Sequence, residues 1–112
     1  MNWVEAKRST LVLWQSIYDS VGTADPVTLL TEINAISDLC ALARDEATAH
    51  GDLAKCHYCP AYEQFGGCRE VSSMLSELVA KRDWDELRTR IKQFISQLDR
   101  METPGPLQLT RH

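Results

Sequence analysis

Three of the four cysteines, Cys56, Cys59 and Cys68, fall within the fourteen-residue stretch from Lys55 to Cys68, and the fourth, Cys40, stands upstream. The Cys-x-x-Cys spacing of Cys56 and Cys59 lets two thiolates from one turn of chain converge on a common centre while neighbouring backbone N–H groups face the sulfurs. Zinc and iron–sulfur sites both use that arrangement. Cys68, nine residues beyond Cys59 and preceded by Gly66 and Gly67, supplies a third sulfur on a backbone free to approach closely. Cys40 completes a four-cysteine set. The expected metal ligands are therefore Cys40, Cys56, Cys59 and Cys68, with His50 as the alternative fourth ligand. His57, inside the turn, suits the role less, because flanking residues there point away from a metal.

A helix running from Cys40 to His50 carries the chain about 15 Å away at about 1.5 Å per residue. Six extended residues, 51 to 56, reach back about 20 Å. Cys40 is thus a feasible ligand if the loop doubles back, whereas His50 needs no long return. Proline directly after a ligating cysteine, as in Cys59-Pro60, recurs in iron–sulfur loops. Tyr58, Tyr62 and Phe65 could shield a cluster from water, and structural zinc accepts the same surroundings. The cofactor expected is an iron–sulfur cluster of the 4Fe–4S type or a zinc ion.

The metal-free alternative is a thiol–disulfide redox protein or switch using the Cys56/Cys59 pair. A reactive pair of this kind usually has its first cysteine at a helix N-terminus, where the dipole favours the thiolate. Here the motif precedes Pro60 and two glycines, and the strand–helix alternation of thioredoxin is absent. The loop is loosely similar to the cysteine loops of helical iron–sulfur proteins such as DNA glycosylases of the endonuclease III type. Those differ in cysteine spacing and carry a basic DNA-binding surface, so the similarity brings no function with it.

Other chemistry finds little footing. Glu32, Asp38, Asp45 and Glu46 could suggest a di-iron site, but Ala47 and Ala54 stand where Glu-x-x-His would need glutamate before His50 and His57. A solvated helix face accounts for them. No glycine-rich phosphate loop, serine elbow or His-Glu-x-x-His helix is present. The reading is of a non-enzymatic accessory, sensor or electron-transfer module without an evident small-molecule substrate.

A net charge of −4 argues against capture of nucleic acid, which needs a concentrated cationic surface. Lys81, Arg82, Arg88, Arg90 and Lys92 are interleaved with Asp83, Asp85 and Glu86, as on a solvated helix. The first residues lack the pattern of a secretory leader, and no stretch approaches a membrane span, so a cytoplasmic location is expected. In that reducing setting clustered cysteines favour metal or redox use over structural disulfides.

The elements that must position the cysteines are helical throughout. Asn2 with Glu5 forms a capping signature for a helix over 3–20, whose stripe is Val4, Leu11, Trp14, Tyr18 and Val21, ended by Gly22. Asp25-Pro26 opens a second helix whose single inward seam is Leu29, Ile33, Ile36, Cys40, Ala43, Ala47 and His50. Val71, Met74, Leu75, Leu78 and Val79 mark a third. Asp83 and Glu86 open a fourth, with Trp84, Leu87, Ile91, Phe94, Leu98 and Met101 inward; Trp3 and Trp14 also read as core.

The fold class expected is all-α: a four-helix up-down bundle of two helical hairpins with a long cysteine-rich loop, 51–68, between helices 2 and 3. Residues 1–101 form one domain and 102–112 a Pro/Gly-containing tail. A protein partner or a homodimer is expected, because short bundles often complete themselves by symmetry.

Overall fold

Four of the helices start where a side chain takes up a free backbone N–H. In the computed structural model, which describes residues 2–66 and 69–103 (of Lys55, Cys56 and Arg69 the backbone alone), α1 spans Trp3–Ser20, and Asn2 accepts from the Glu5 N–H at 2.9 Å. Helix α2, Pro26–Ile33, is capped by Asp25 through the Thr28 N–H at 2.9 Å. Helix α6, Trp84–Arg100, is capped by Asp83 through the Glu86 N–H at 3.3 Å. Gly22 adopts φ +95°, the left-handed turn that a glycine permits after α1. Every regular element among the described residues is a helix, so the chain is all-α.

The second expected helix is in fact two. Helix α2 stops at Ile33 and α3 runs over Asp38–Ala49. The Asn34 amide donates to the Leu30 carbonyl at 2.8 Å, while the Ser37 hydroxyl accepts from the Cys40 N–H at 3.3 Å and caps α3. Such side-chain bonds offer the backbone a local alternative to continuing the helix. The break shifts the helical phase. Leu39 is buried, whereas Ile36 is exposed, Cys40 half-buried and His50 exposed, so the expected seam holds only at Leu29, Ile33, Ala43 and Ala47.

Taken as one run, Pro26–Ala49 is 24 residues long with a mean hydropathy of 1.2 over its most apolar window, so the described residues contain one stretch of membrane-spanning length and apolarity. The break at 34–37 divides it, and its buried leucine, isoleucine and alanine side chains pack into the protein's own core.

Helices α1 and α6 pack antiparallel. Lys7 near the start of α1 donates to the carbonyls of Asp99 and Met101 at 2.7 and 2.8 Å, and Arg88 near the start of α6 donates to that of Val21 at 2.9 Å. Helix α3 lies against α1, where buried Thr10 accepts from the Leu39 N–H at 3.4 Å and Ser9 donates to Asp38. Helix α5, Arg69–Ala80, packs on α2 and α6. The core is richest along α6, where Leu87, Ile91, Phe94, Leu98 and Met101 are all buried as expected, with Trp84 half-buried. On α1 the inward face is Trp3, Ala6, Thr10, Trp14 and Ile17, rotated from the expected stripe, so Val4 is 48% exposed.

The segment between α3 and α5 is folded rather than a plain loop. It holds a 3-10 turn, Lys55–Tyr58, and a short helix α4, Pro60–Phe65. The expected tail follows α6 only as far as Thr103 among the described residues.

Candidate functional site

Helix α3 ends at Ala49 with His50 as its cap, and Gly51 at φ +68° turns the chain back. Asp52 then acts as a clasp. Its N–H donates to the Ala47 carbonyl at 2.8 Å, and its carboxylate accepts from the Ala54 N–H at 2.9 Å and the Tyr58 hydroxyl at 3.2 Å. An aspartate that bonds the backbone two residues on builds a turn by itself. The returning chain forms the 3-10 turn containing Cys56, and this turn packs against α3.

Tyr58 fastens the turn to the end of α3. Its ring lies 5.1 Å from that of His50, tilted by 31°, and His50 Nδ1 is 2.9 Å from the Glu46 carbonyl. With Nδ1 protonated, that bond fixes the imidazole and leaves Nε2 as its acceptor. The Ala54 N–H, with the Tyr58 hydroxyl and the charge of His57 adding to it, holds the Asp52 carboxyl below its ordinary value. Desolvation, reinforced by the Asp52 carboxylate, raises the Tyr58 phenol.

The second half of the segment is fastened to α6. Cys59 is the N-cap residue of α4 with Pro60 at the first helical position, and Cys59, Pro60 and Ala61 are buried. Phe65 meets Phe94 edge-on at 6.0 Å, and Phe94 meets Trp14 edge-on at 4.9 Å, so α4 joins the central aromatic column. The Gln64 amide exchanges two hydrogen bonds with the backbone of Glu102, at 2.6 and 2.8 Å. Gly66 at φ +90° then ends the helix.

Of the expected ligands, Cys59 lies in the core under the junction of turn and α4, and Cys56 stands in the turn backbone. The Cys56 side chain and the whole of Cys68 lie outside the described residues, as does Gly67. Cys40, a half-buried free thiol, sits in the first turn of α3. Ten residues, about 15 Å of helix, separate it from His50, so the two candidate fourth ligands occupy opposite ends of one helix. Among the described residues no three His, Cys, Asp or Glu side chains are gathered as metal ligands would be. Of the aromatic side chains around the motif, Tyr58 and Phe65 are half-buried against the core, and Tyr62 is 45% exposed.

Sequence reasoning missed the clasp. Asp52 following Gly51 is a turn signal in its own right, and Tyr58 is the next side chain able to reach it. No family model matches this chain, and neither a curated protein nor a solved structure does.

Proposed function

We propose that the chain is a small metal-binding module, holding a zinc ion or an iron–sulfur cluster through Cys56, Cys59 and Cys68, and that it serves as a non-enzymatic accessory, sensor or electron-transfer protein. The observation that carries this reading is the way the Cys-x-x-Cys turn is built. It is clasped to α3 by Asp52 and Tyr58, to α6 by Phe65 and to Glu102 just past the end of α6 by Gln64, with Cys59 directed into the core. Ligands held on a supported frame lose little entropy on binding, which is what a resident metal requires.

For the fourth position we favour His50 over Cys40. The turn is clasped at the His50 end of α3, and a histidine whose Nδ1–H is held by a carbonyl is oriented for ligation through Nε2. Three cysteines and one histidine form an accepted structural zinc set, and the same set can hold a cluster. The finer architecture is read as the up-down bundle with α2 and α3 forming one bent arm, the cysteine segment filling the gap between α3 and α6 beyond the start of α5.

Anaerobic purification followed by metal analysis and an absorption spectrum tests the proposal. A brown protein with iron and sulfide, or a colourless one with about one zinc per chain, supports it. A metal-free protein whose thiols form a reversible disulfide instead makes it the redox protein of the Cys56/Cys59 pair.

A further inference from the structure

The outer face of the α1–α6 pair leaves apolar side chains uncovered by the core. Leu11, Val12, Tyr18 and Ile95 line a groove of about 590 Å³ there, with Lys92 and Asp99 on its edge, and Val12 is 66% exposed. Lys92 and Asp99 take part in none of the ion pairs found among the described residues. Seven residues apart, they lie about 10 Å from each other along the helix, too far to pair.

Each helix of this face carries the same charge pattern: a cation on one side and an anion on the other of a mixed middle, Val12 and Gln15 on α1 and Ile95 and Ser96 on α6. On α6 Lys92 and Asp99 flank Ile95. On α1 Arg8 and Asp19 flank Val12 and Gln15, all four on one stripe at steps of four, three and four. The two patterns share a height. The bonds of Lys7 to Asp99 and Met101, and of Arg88 to Val21, set the antiparallel register, and in it the midpoint of Arg8 and Asp19 falls about one residue from that of Lys92 and Asp99.

We propose that a second copy of this chain docks on this face through a two-fold axis that lies in the interface at right angles to the helices. That operation sets α1 antiparallel on α1 and α6 antiparallel on α6. It brings Lys92 opposite the partner's Asp99 and Arg8 opposite the partner's Asp19, each pair occurring twice, with Val12 and Ile95 at the centre. An isologous interface has to be self-complementary in this sense. An axis parallel to the helices would instead bring α1 onto α6 and set Lys92 about three residues, or about 4.5 Å, out of step with the partner's Asp19. Two helices about 27 Å long and about 9 Å apart cover roughly 500 Å² a side, less than the roughly 800 Å² of a standard interface. The dimer is accordingly weak and concentration-dependent, and it needs neither the metal nor a disulfide.

Sedimentation equilibrium of the full chain with reductant, from about 5 μM to about 1 mM, tests it; on the scale of interface sizes the dimer should emerge toward the upper end. Lys92→Asp should shift dimerisation at least tenfold toward higher concentration, and Lys92→Asp with Asp99→Lys should restore it, both variants keeping wild-type helical circular dichroism. A wild-type chain that stays monomeric throughout overturns the proposal. So does a dimer indifferent to Lys92→Asp, or one that the double exchange fails to restore, since about the parallel axis Asp99→Lys would set a cation against the partner's Arg8.

Discussion

Gly22 shows how much can hang on a single residue. Its φ of +95° is costly for any side chain, and a Cβ there would stand 2.6 Å from the Arg88 guanidinium that caps the end of α1. Gly22→Ala should cost about 1–2 kcal/mol in chemical denaturation, through backbone strain and a displaced Arg88 hydrogen bond. Phe94 is more critical still, because Trp14 and Phe65 both pack edge-on against its ring. Phe94→Ala should cost about 3–5 kcal/mol, a large part of the 5–15 kcal/mol typical of a domain, with a matching fall in melting temperature. Asp25 gives a pH signature. The Thr28 N–H and hydroxyl bond its charged carboxylate and lower its pKa below 3.8. Because the folded value lies below the unfolded one, its contribution is present above about pH 4 and disappears as pH falls through the lowered value. In Asp25→Asn, whose amide can cap but cannot titrate, the melting temperature should fall less between neutral pH and about pH 2.5 than in wild type. An equal fall in both would show that this carboxylate is not linked to stability.

Among the elements, what the sequence disclosed depended on how local the determinant was. Asn2, Asp25, Asp83 and Gly22 act within a few residues, and the helix ends they mark are where their types required. The apolar seam of α6 was legible because its apolar residues fall almost entirely on one stripe of an unbroken helix, whereas α1 bears Val4, Leu11, Val12 and Leu13 on several sides and its expected stripe is out of phase with its inward face. The break between α2 and α3 was not, because the apolar spacing runs through it while Asn34 and Ser37 divert the backbone with their side chains. Helix α4 was hidden for a different reason: six residues carry no periodicity, and Phe65 finds its place only through Phe94 in a distant helix. The cysteine cluster was plain in the sequence, but its clasp through Asp52 and Tyr58 was not, being a contact between two polar side chains with no repeating pattern. Two outcomes follow. Ser37→Ala should destabilise the chain by about 1 kcal/mol by removing the cap of α3. Phe65→Ala should release α4 locally, so that hydrogen exchange accelerates over residues 59–66 while the amides of α1 and α6 keep most of their protection.

At the scale of the whole molecule, the cysteine segment links the end of α3 to Phe94 of α6 and to Glu102 just beyond it. A metal bound there adds its binding energy to the folded state alone, so a chelator should lower the melting temperature of the purified protein and resupply of the metal should restore it. The proposed dimer, by contrast, would use the outer face of α1 and α6 and should be untouched by the chelator at temperatures where the chain stays folded. The central claim is that sulfur from this segment, joined by His50, holds the metal. X-ray absorption at the bound metal's edge tests it most directly. The account predicts a first shell with sulfur at about 2.3 Å from Cys56, Cys59 and Cys68 and one nitrogen at about 2.0 Å, the nitrogen lost in His50→Ala. A shell of oxygen and nitrogen alone, or a spectrum unchanged when Cys56 and Cys59 are replaced by serine, would contradict it.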